Sequence, residues 1–153
     1  MIETLLRGTY RNVGLHHVRM AFSSEMSQVG RASAGKILHL LGLVVRITAA
    51  RLRTGATVLY YPPAGPRMVP VLRDIFVLVA TRWMFDATVF HFHAAGVSEL
   101  EPRLPGWLRS LYRLAYRRAA IGIRTSPLGP PDPAALEARR EVCLLYTSDA
   151  ADE

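Results

Sequence analysis

Apolar positions along the chain repeat with two periods, about 3.6 residues in some stretches and two in others, so helices and strands can be laid out in order. Met1 to Asn12 suits a short helix with Ile2, Leu5 and Leu6 on one side and Gly14 as its stop. His16 to Phe22 alternates, with Val18, Met20 and Phe22 opposite His17, Arg19 and Ala21, which predicts a strand near a sheet edge. Ser23 to Ala34 is polar and contains glycine, hence a loop. Lys36 to Arg53 predicts a helix with Ile37, Leu40, Leu41, Val44 and Ile47 or Thr48 inward, ended by Thr54-Gly55. Thr57 to Tyr61 predicts a strand stopped by Pro62-Pro63. Pro66 to Met84 predicts a helix with Met68, Leu72, Ile75, Phe76, Val79 and Trp83 inward; further apolar residues at Val71, Val77 and Leu78 imply deep burial.

The next strand is the one around which the rest is organised. Thr88 to Phe92 is β-branched and aromatic and runs through His93 into Ala94-Ala95-Gly96. After it, Ser98-Glu99-Leu100-Glu101 fits a capping box shortened by Pro102, and Pro105 suits the first position of a helix. That helix places Leu104, Leu108, Leu111 and Ala115 inward, and Arg109, Arg113 and Arg117 on another face beside Tyr112 and Tyr116. Ala120 to Thr125 predicts the last strand, Gly129-Pro130-Pro131 a loop, and Asp132-Pro133 the start of a further helix. Helix and strand alternate with connections too long for hairpins. This predicts an α/β domain whose parallel sheet is covered on both faces.

Side chains alternate along a strand, so His91 and His93 share one face and Phe90 and Phe92 the other. In open parallel sheets ligands sit beyond the carboxyl ends of the strands, where His93 falls. An imidazole there can hydrogen-bond a substrate and titrates near neutral pH. Two readings stand at this point: a ligand-facing His93, or two histidines that are packed, hydrogen-bonded and inert. A metal pair lacks a further ligand at a recognisable spacing.

Composition narrows the class. The 153 residues suit one domain with a real core, and half of them are apolar, which argues against disorder. The formal charge is +7 and Lys36 is the only lysine, so the basic surface is made of arginine. Such a surface suits an anionic partner, whether membrane lipid, nucleic acid or phosphorylated substrate. Met1-Ile2-Glu3 does not open a signal peptide, and no apolar run approaches the ~20 residues of a membrane-spanning helix. Cys143 alone offers neither a disulfide nor a metal cluster.

Cys143 to Glu153, Cys-Leu-Leu-Tyr-Thr-Ser-Asp-Ala-Ala-Asp-Glu, resembles throughout the translation of a transposase-type sequencing adapter read through into a metagenomic reading frame. On that expectation residues 143–153 are a non-native tail and the natural chain is cut near Val142. Those residues hold three acids and no base, so without them the charge rises from +7 to +10.

Several pieces in this order resemble a known family: Val29-Gly30-Arg31-Ala32-Ser33-Ala34-Gly35-Lys36 opening a helix; Tyr60-Tyr61-Pro62-Pro63-Ala64 before a helix with Arg73-Asp74; Val89-Phe90-His91-Phe92-His93-Ala94; and Leu104-Pro105-Gly106-Trp107-Leu108-Arg109. Over about Leu15 to Ser126 the chain looks like the N-terminal, acceptor-side half of a bacterial family 4 glycosyltransferase of GT-B fold. The resemblance implies a three-layer Rossmann-like domain with a mostly parallel sheet, incomplete at both ends. The family begins with a strand and a glycine-rich loop, which this chain lacks, and carries a nucleotide-binding half that is also missing. The parent enzyme would transfer a hexose from a UDP- or GDP-sugar to a glycan or lipid-linked acceptor, with retention and without a metal, as in polysaccharide biosynthesis. The fragment would hold no cofactor and would not turn over alone. His93 matches the family's histidine near the reacting sugar, while Tyr61, Pro62, Ala64 and Gly96 would line the acceptor side of the cleft.

Other features carry two readings each. Arg31 and Lys36 suit either an anion at a helix N-terminus or a solvated helix start. Trp107 with Arg109, Arg113 and Arg117 suits either an anionic membrane surface or an ordinary solvated face. Arg73 and Asp74 are neighbours that should not face each other, which makes Asp74 a capping or orienting group. The expected location is cytoplasmic, with a peripheral position on the inner face of the membrane as a further expectation. The alternative function is a stand-alone basic Rossmann-like module docking on an anionic membrane. Basic and aromatic residues do not interleave as in single-strand binders, so nucleic acid is not an expected partner. A metal hydrolase built on His91 and His93 ranks last, for want of carboxylates in the right places.

Overall fold

The computed structural model describes residue 11, residues 13–20 and residues 34–144, and the chain divides into two compact units, residues 1–56 and 57–153. The helix expected over residues 1–12 lies outside the described residues, as does the loop expected before Ala34. Residues 16–20 form no strand: Val18 and Met20 are half-buried and His16, His17 and Arg19 exposed, but the alternation finds no ladder partner among the described residues.

In the first unit, α1 spans Ala34–Thr54. It closes where the Thr54 hydroxyl donates to Ala50 O (2.8 Å) and Gly55, at φ +67°, donates its N–H to Arg51 O (3.0 Å). Only glycine adopts that conformation without cost. Leu43 and Ile47 are its buried residues, whereas Ile37 and Leu41, expected inward, are 52% and 45% exposed. Nearly every uncharged position from 37 to 52 is apolar, so the period alone leaves the buried face undetermined.

The second unit runs β1 (Val58–Tyr61), α2 (Met68–Thr81), β2 (Ala87–Phe92), α3 (Gly106–Tyr116), β3 (Ile121–Arg124), α4 (Asp132–Ala135) and β4 (Glu141–Cys143), with 3-10 turns at Arg82–Met84 and Ser98–Arg103. The four strands form one sheet in the order β1-β2-β3-β4, every pair parallel. The fold is α/β and Rossmann-like. Register places Tyr61, Phe90 and Gly122 in one row across the sheet. Phe90 meets Tyr116 of α3 at 5.9 Å between ring centroids, and Tyr61 bonds Asp74 of α2. A Cβ on Gly122 would lie 2.5 Å from Pro133 Cβ, so only glycine lets α4 approach that closely. All three helices therefore cover the same face. On the other face Val58 and Tyr60 are exposed, while Val89, Ile121, Ile123 and Val142 are half-buried.

The strand β4 was not expected. Glu141-Val142-Cys143 carries little β signal of its own and is recruited by β3, through Gly122 N–H to Arg140 O (2.8 Å) and Leu144 N–H to Arg124 O (2.9 Å). Cys143, placed by the sequence in the non-native tail, closes this strand; residues 145–153 lie outside the described residues. The helix begun at Asp132 makes a single turn.

Two helix faces differ from expectation for one reason. On α2 the buried residues are Val71, Asp74, Ile75, Val77, Leu78 and Thr81, whereas Met68, Leu72 and Phe76 are each 40% exposed and Trp83, beyond the helix end, 77%. The helix is apolar on both sides, and its one carboxylate, Asp74, is buried because it has partners. On α3, Tyr112 and Tyr116 are fully buried and Leu111 is 37% exposed. Both phenols turn inward because their hydroxyls find acceptors, Val97 O at 2.9 Å and Asp74 Oδ2 at 3.3 Å. Burial pushes the pKa of both hydroxyls upward.

Candidate ligand site at the carboxyl ends of the strands

Three loops leave the carboxyl ends of β1, β2 and β3 and pack on one another. A Cβ on Gly65 would lie 3.1 Å from Ala94 Cβ, and one on Gly129 3.1 Å from Ala95 Cβ, so the loops meet through small residues. Two buried carboxylates hold this arrangement. Asp74 of α2 accepts from the Tyr61 hydroxyl (Oδ1, 2.8 Å), the Ala64 N–H (Oδ2, 2.8 Å) and the Tyr116 hydroxyl, and pairs with Arg73 (Nη2 to Oδ1, 2.6 Å). Asp132 of α4 accepts from Gly96 N–H (2.7 Å), Ser98 N–H (2.8 Å) and Ser98 Oγ (2.5 Å). A buried carboxylate is tolerated when donors replace its water, and both have them.

Within this frame His93 lies just past the end of β2 with its side chain exposed. Its ring lies 4.0 Å from that of His91, centroid to centroid, tilted by 32°. His91 is 3% exposed; its Nδ1 is hydrogen-bonded to the Tyr60 hydroxyl, and its Nε2 is buried without a partner among the described residues. Burial and then the proximity of His93 push the His91 imidazole below its ordinary value, which favours the neutral ring. The pair thus has an inner imidazole held neutral and an outer one facing solvent. Among the described residues no three His, Cys, Asp or Glu side chains are placed to hold a metal.

The other expected site residues separate. Tyr61, expected to line the cleft, is 3% exposed, and its hydroxyl is spent on Asp74, which with burial drives its pKa far upward. It supports the loop rather than facing a ligand. Pro62 is half-buried, and Ala64 contributes its N–H to Asp74. Gly96 is buried at φ +97° with its N–H on Asp132, so it is needed for backbone conformation. Arg31 and the Lys36 side chain lie outside the described residues.

The arginine stripe comes together on one side of α3, and each member is tied within the molecule. Arg109 donates to the carbonyls of Glu101, Pro102 and Leu104; Arg113 pairs with Glu101 at 2.6 Å; Arg117 pairs with Glu137 at 2.8 Å and Glu101 at 3.3 Å. Trp107 is 70% exposed. Arg73 and Asp74, expected not to face each other, pair because the guanidinium folds back over its neighbour. Ser98 opens a 3-10 turn rather than a capping box, its hydroxyl being taken by Asp132.

Nothing in the sequence marks Tyr60 or Asp132 as site residues. Parity puts Tyr60 on the opposite face from Tyr61, but a Tyr-Tyr doublet does not say which member faces the helices. Asp132 carried a helix-start signal and nothing that linked it to residues 96–98.

What fold and site define together is an α/β Rossmann-like domain with an exposed histidine at the carboxyl end of an inner parallel strand. Comparison of the chain with protein-family models, curated proteins and solved structures returns no match.

Proposed function

We propose that this domain is the acceptor-side half of a retaining glycosyltransferase that moves a hexose from a UDP- or GDP-sugar to a glycan or lipid-linked acceptor. The observation that carries the reading is the exposed imidazole of His93 at the carboxyl end of β2, backed by a buried His91 that Tyr60 holds. In that role His93 hydrogen-bonds a sugar hydroxyl beside the reacting carbon, and the partner half supplies the nucleotide site. The family motifs in residues 29–36, 60–64, 89–94 and 104–109 add support. The test is to recover the native gene on both sides and assay the restored protein with UDP- and GDP-hexoses. Expected are a downstream nucleotide-sugar domain, transfer to a glycan or polyprenyl acceptor, and at least about a hundredfold loss of rate in His93→Ala. A stop codon soon after Val142 in the native locus, or an unchanged rate in that variant, overturns the reading.

A second reading, a basic module docking on an anionic membrane surface, is favoured by one observation. Trp107, Leu111 and Leu114 on α3 and Met68, Leu72 and Phe76 on α2 are exposed apolar residues on two helices that pack together. Because the stripe arginines are already paired, apolar insertion would have to carry the affinity. Sedimentation with phosphatidylglycerol vesicles that Trp107→Ala abolishes supports this reading; equal recovery with phosphatidylcholine vesicles, or none, removes it. Among the described residues no helix is long and apolar enough to cross a membrane.

A further inference from the structure

At the opposite, amino end of the sheet lies a cavity of about 330 Å³, lined entirely by residues of the second unit. One wall is apolar, with Leu78, Leu114 and the largely exposed indole of Trp83. Three arginines, Arg82, Arg118 and Arg139, also line it, with a single acid, Asp86. The arginines come from three different connections, and the backbone places each one.

Arg118 and Arg139 are exposed, whereas Arg82 is half-buried. Its Nε donates to Thr88 Oγ1 (3.2 Å) and its Nη1 to the carbonyls of Leu114 (3.3 Å) and Ala115 (2.9 Å), bonds that do not involve Nη2. Burial pulls the guanidinium down from its ordinary value, so a counter-ion there would replace lost hydration. Arg118 occupies the position after α3 at φ +58°, where glycine is normally favoured, and its N–H donates to Leu136 O (3.0 Å). Glu137, at φ +56°, is the other non-glycine residue with a positive φ among those described. It sits opposite Arg118, with Nε to Oε2 at 3.5 Å. These two connections are thus fastened together, each with one residue in the left-handed conformation, and Arg118 and Arg139 both line the cavity. Arg139 donates its N–H to Ala119 O (2.9 Å), and no side-chain partner for it occurs among the described residues.

We infer that this cavity binds a phosphate monoester, with the phosphate between Arg118, Arg139 and Arg82 and an apolar body against Trp83 and Leu114. Three arginines that line one cavity from separate connections suit the tetrahedral oxygens of a phosphate, and an exposed indole on the same lining suits a base or a short acyl chain. The phosphate is the shared chemistry of a nucleotide and a lipid phosphate. The site lies at the end of the sheet away from His93 and does not depend on the glycosyltransferase reading.

The test uses the full chain carrying Trp107→Phe, which leaves Trp83 as the one tryptophan, so that its indole N–H resonance reports the cavity directly. Inorganic phosphate, adenosine monophosphate and dihexanoyl phosphatidic acid below its micellar concentration are titrated in separate arms. Saturable shifts with one or both esters, tighter than with inorganic phosphate, are expected, and the tighter ester identifies the source. The double variant Arg118→Gly, Arg139→Ala should weaken that binding at least about tenfold. Glycine at 118 suits the left-handed backbone, so a folded double variant is expected, and its spectrum checks this. The inference is overturned if no arm saturates by about 10 mM. It is equally overturned if the folded double variant binds as tightly as its parent, or if inorganic phosphate binds as tightly as both esters.

Discussion

The two ends of the sheet treat charge in opposite ways. At the carboxyl end two acids are internal: Asp74 and Asp132 are 0% and 1% exposed, Asp74 with donors from β1, the loop after it, α2 and α3, and Asp132 with donors from Gly96 and Ser98. At the amino end three arginines line a cavity, with Arg82 half-buried and Arg118 and Arg139 exposed. A buried carboxylate satisfied by backbone N–H groups acts as a fastener, fixing the loops that carry His93. An exposed guanidinium contributes little to stability and remains available to a ligand. One end is therefore fastened by internal carboxylates, and the other, on our inference, is open to a phosphate.

The largest test of this contrast is Asp74→Ala. It removes the acceptor from two phenols and the Ala64 N–H and one partner from Arg73, and should lower unfolding free energy by about 3–5 kcal/mol in urea titrations. Asp132→Ala removes the acceptor from Gly96 and Ser98 and should cost about 2–3 kcal/mol, with the His93 resonances shifted because its loop loosens. A smaller, pH-dependent effect belongs to His91. Its folded pKa is depressed, so its contribution is fully present above the unfolded value of 6.5 and is lost as pH falls through the lower folded value. Urea midpoints measured between pH 7.5 and 5 should therefore fall with acid in the parent and fall less in His91→Phe. Smallest is Arg139→Ala, expected to move stability by no more than about 0.5 kcal/mol in either direction. A large loss there would make the amino end structural and dissolve the comparison.

The same contrast explains which parts of the site were legible in the chain. His93 stood out because a β-branched and aromatic run ending in Ala-Ala-Gly announces a strand and its exit, and alternation then assigns faces. Its surroundings did not stand out. Asp74 read as a capping or orienting group and Asp132 as a helix start, because most of their donors lie 10 to 42 positions away in sequence. Tyr61 looked like a cleft residue, yet its hydroxyl had a carboxylate to reach inside.

What the linear pattern determined by itself is the element order from Lys36 to Asp132 and the parallel α/β class, because a period of two or 3.6 is local and crossover length decides strand direction. The tertiary structure alone decided the rotation of each helix about its axis, the recruitment of β4, and the inward turn of Asp74, Tyr112 and Tyr116. On helices that are apolar nearly all round, hydrophobicity does not choose the buried side. The choice falls to the few polar atoms that must find partners, and those partners are brought close only by folding.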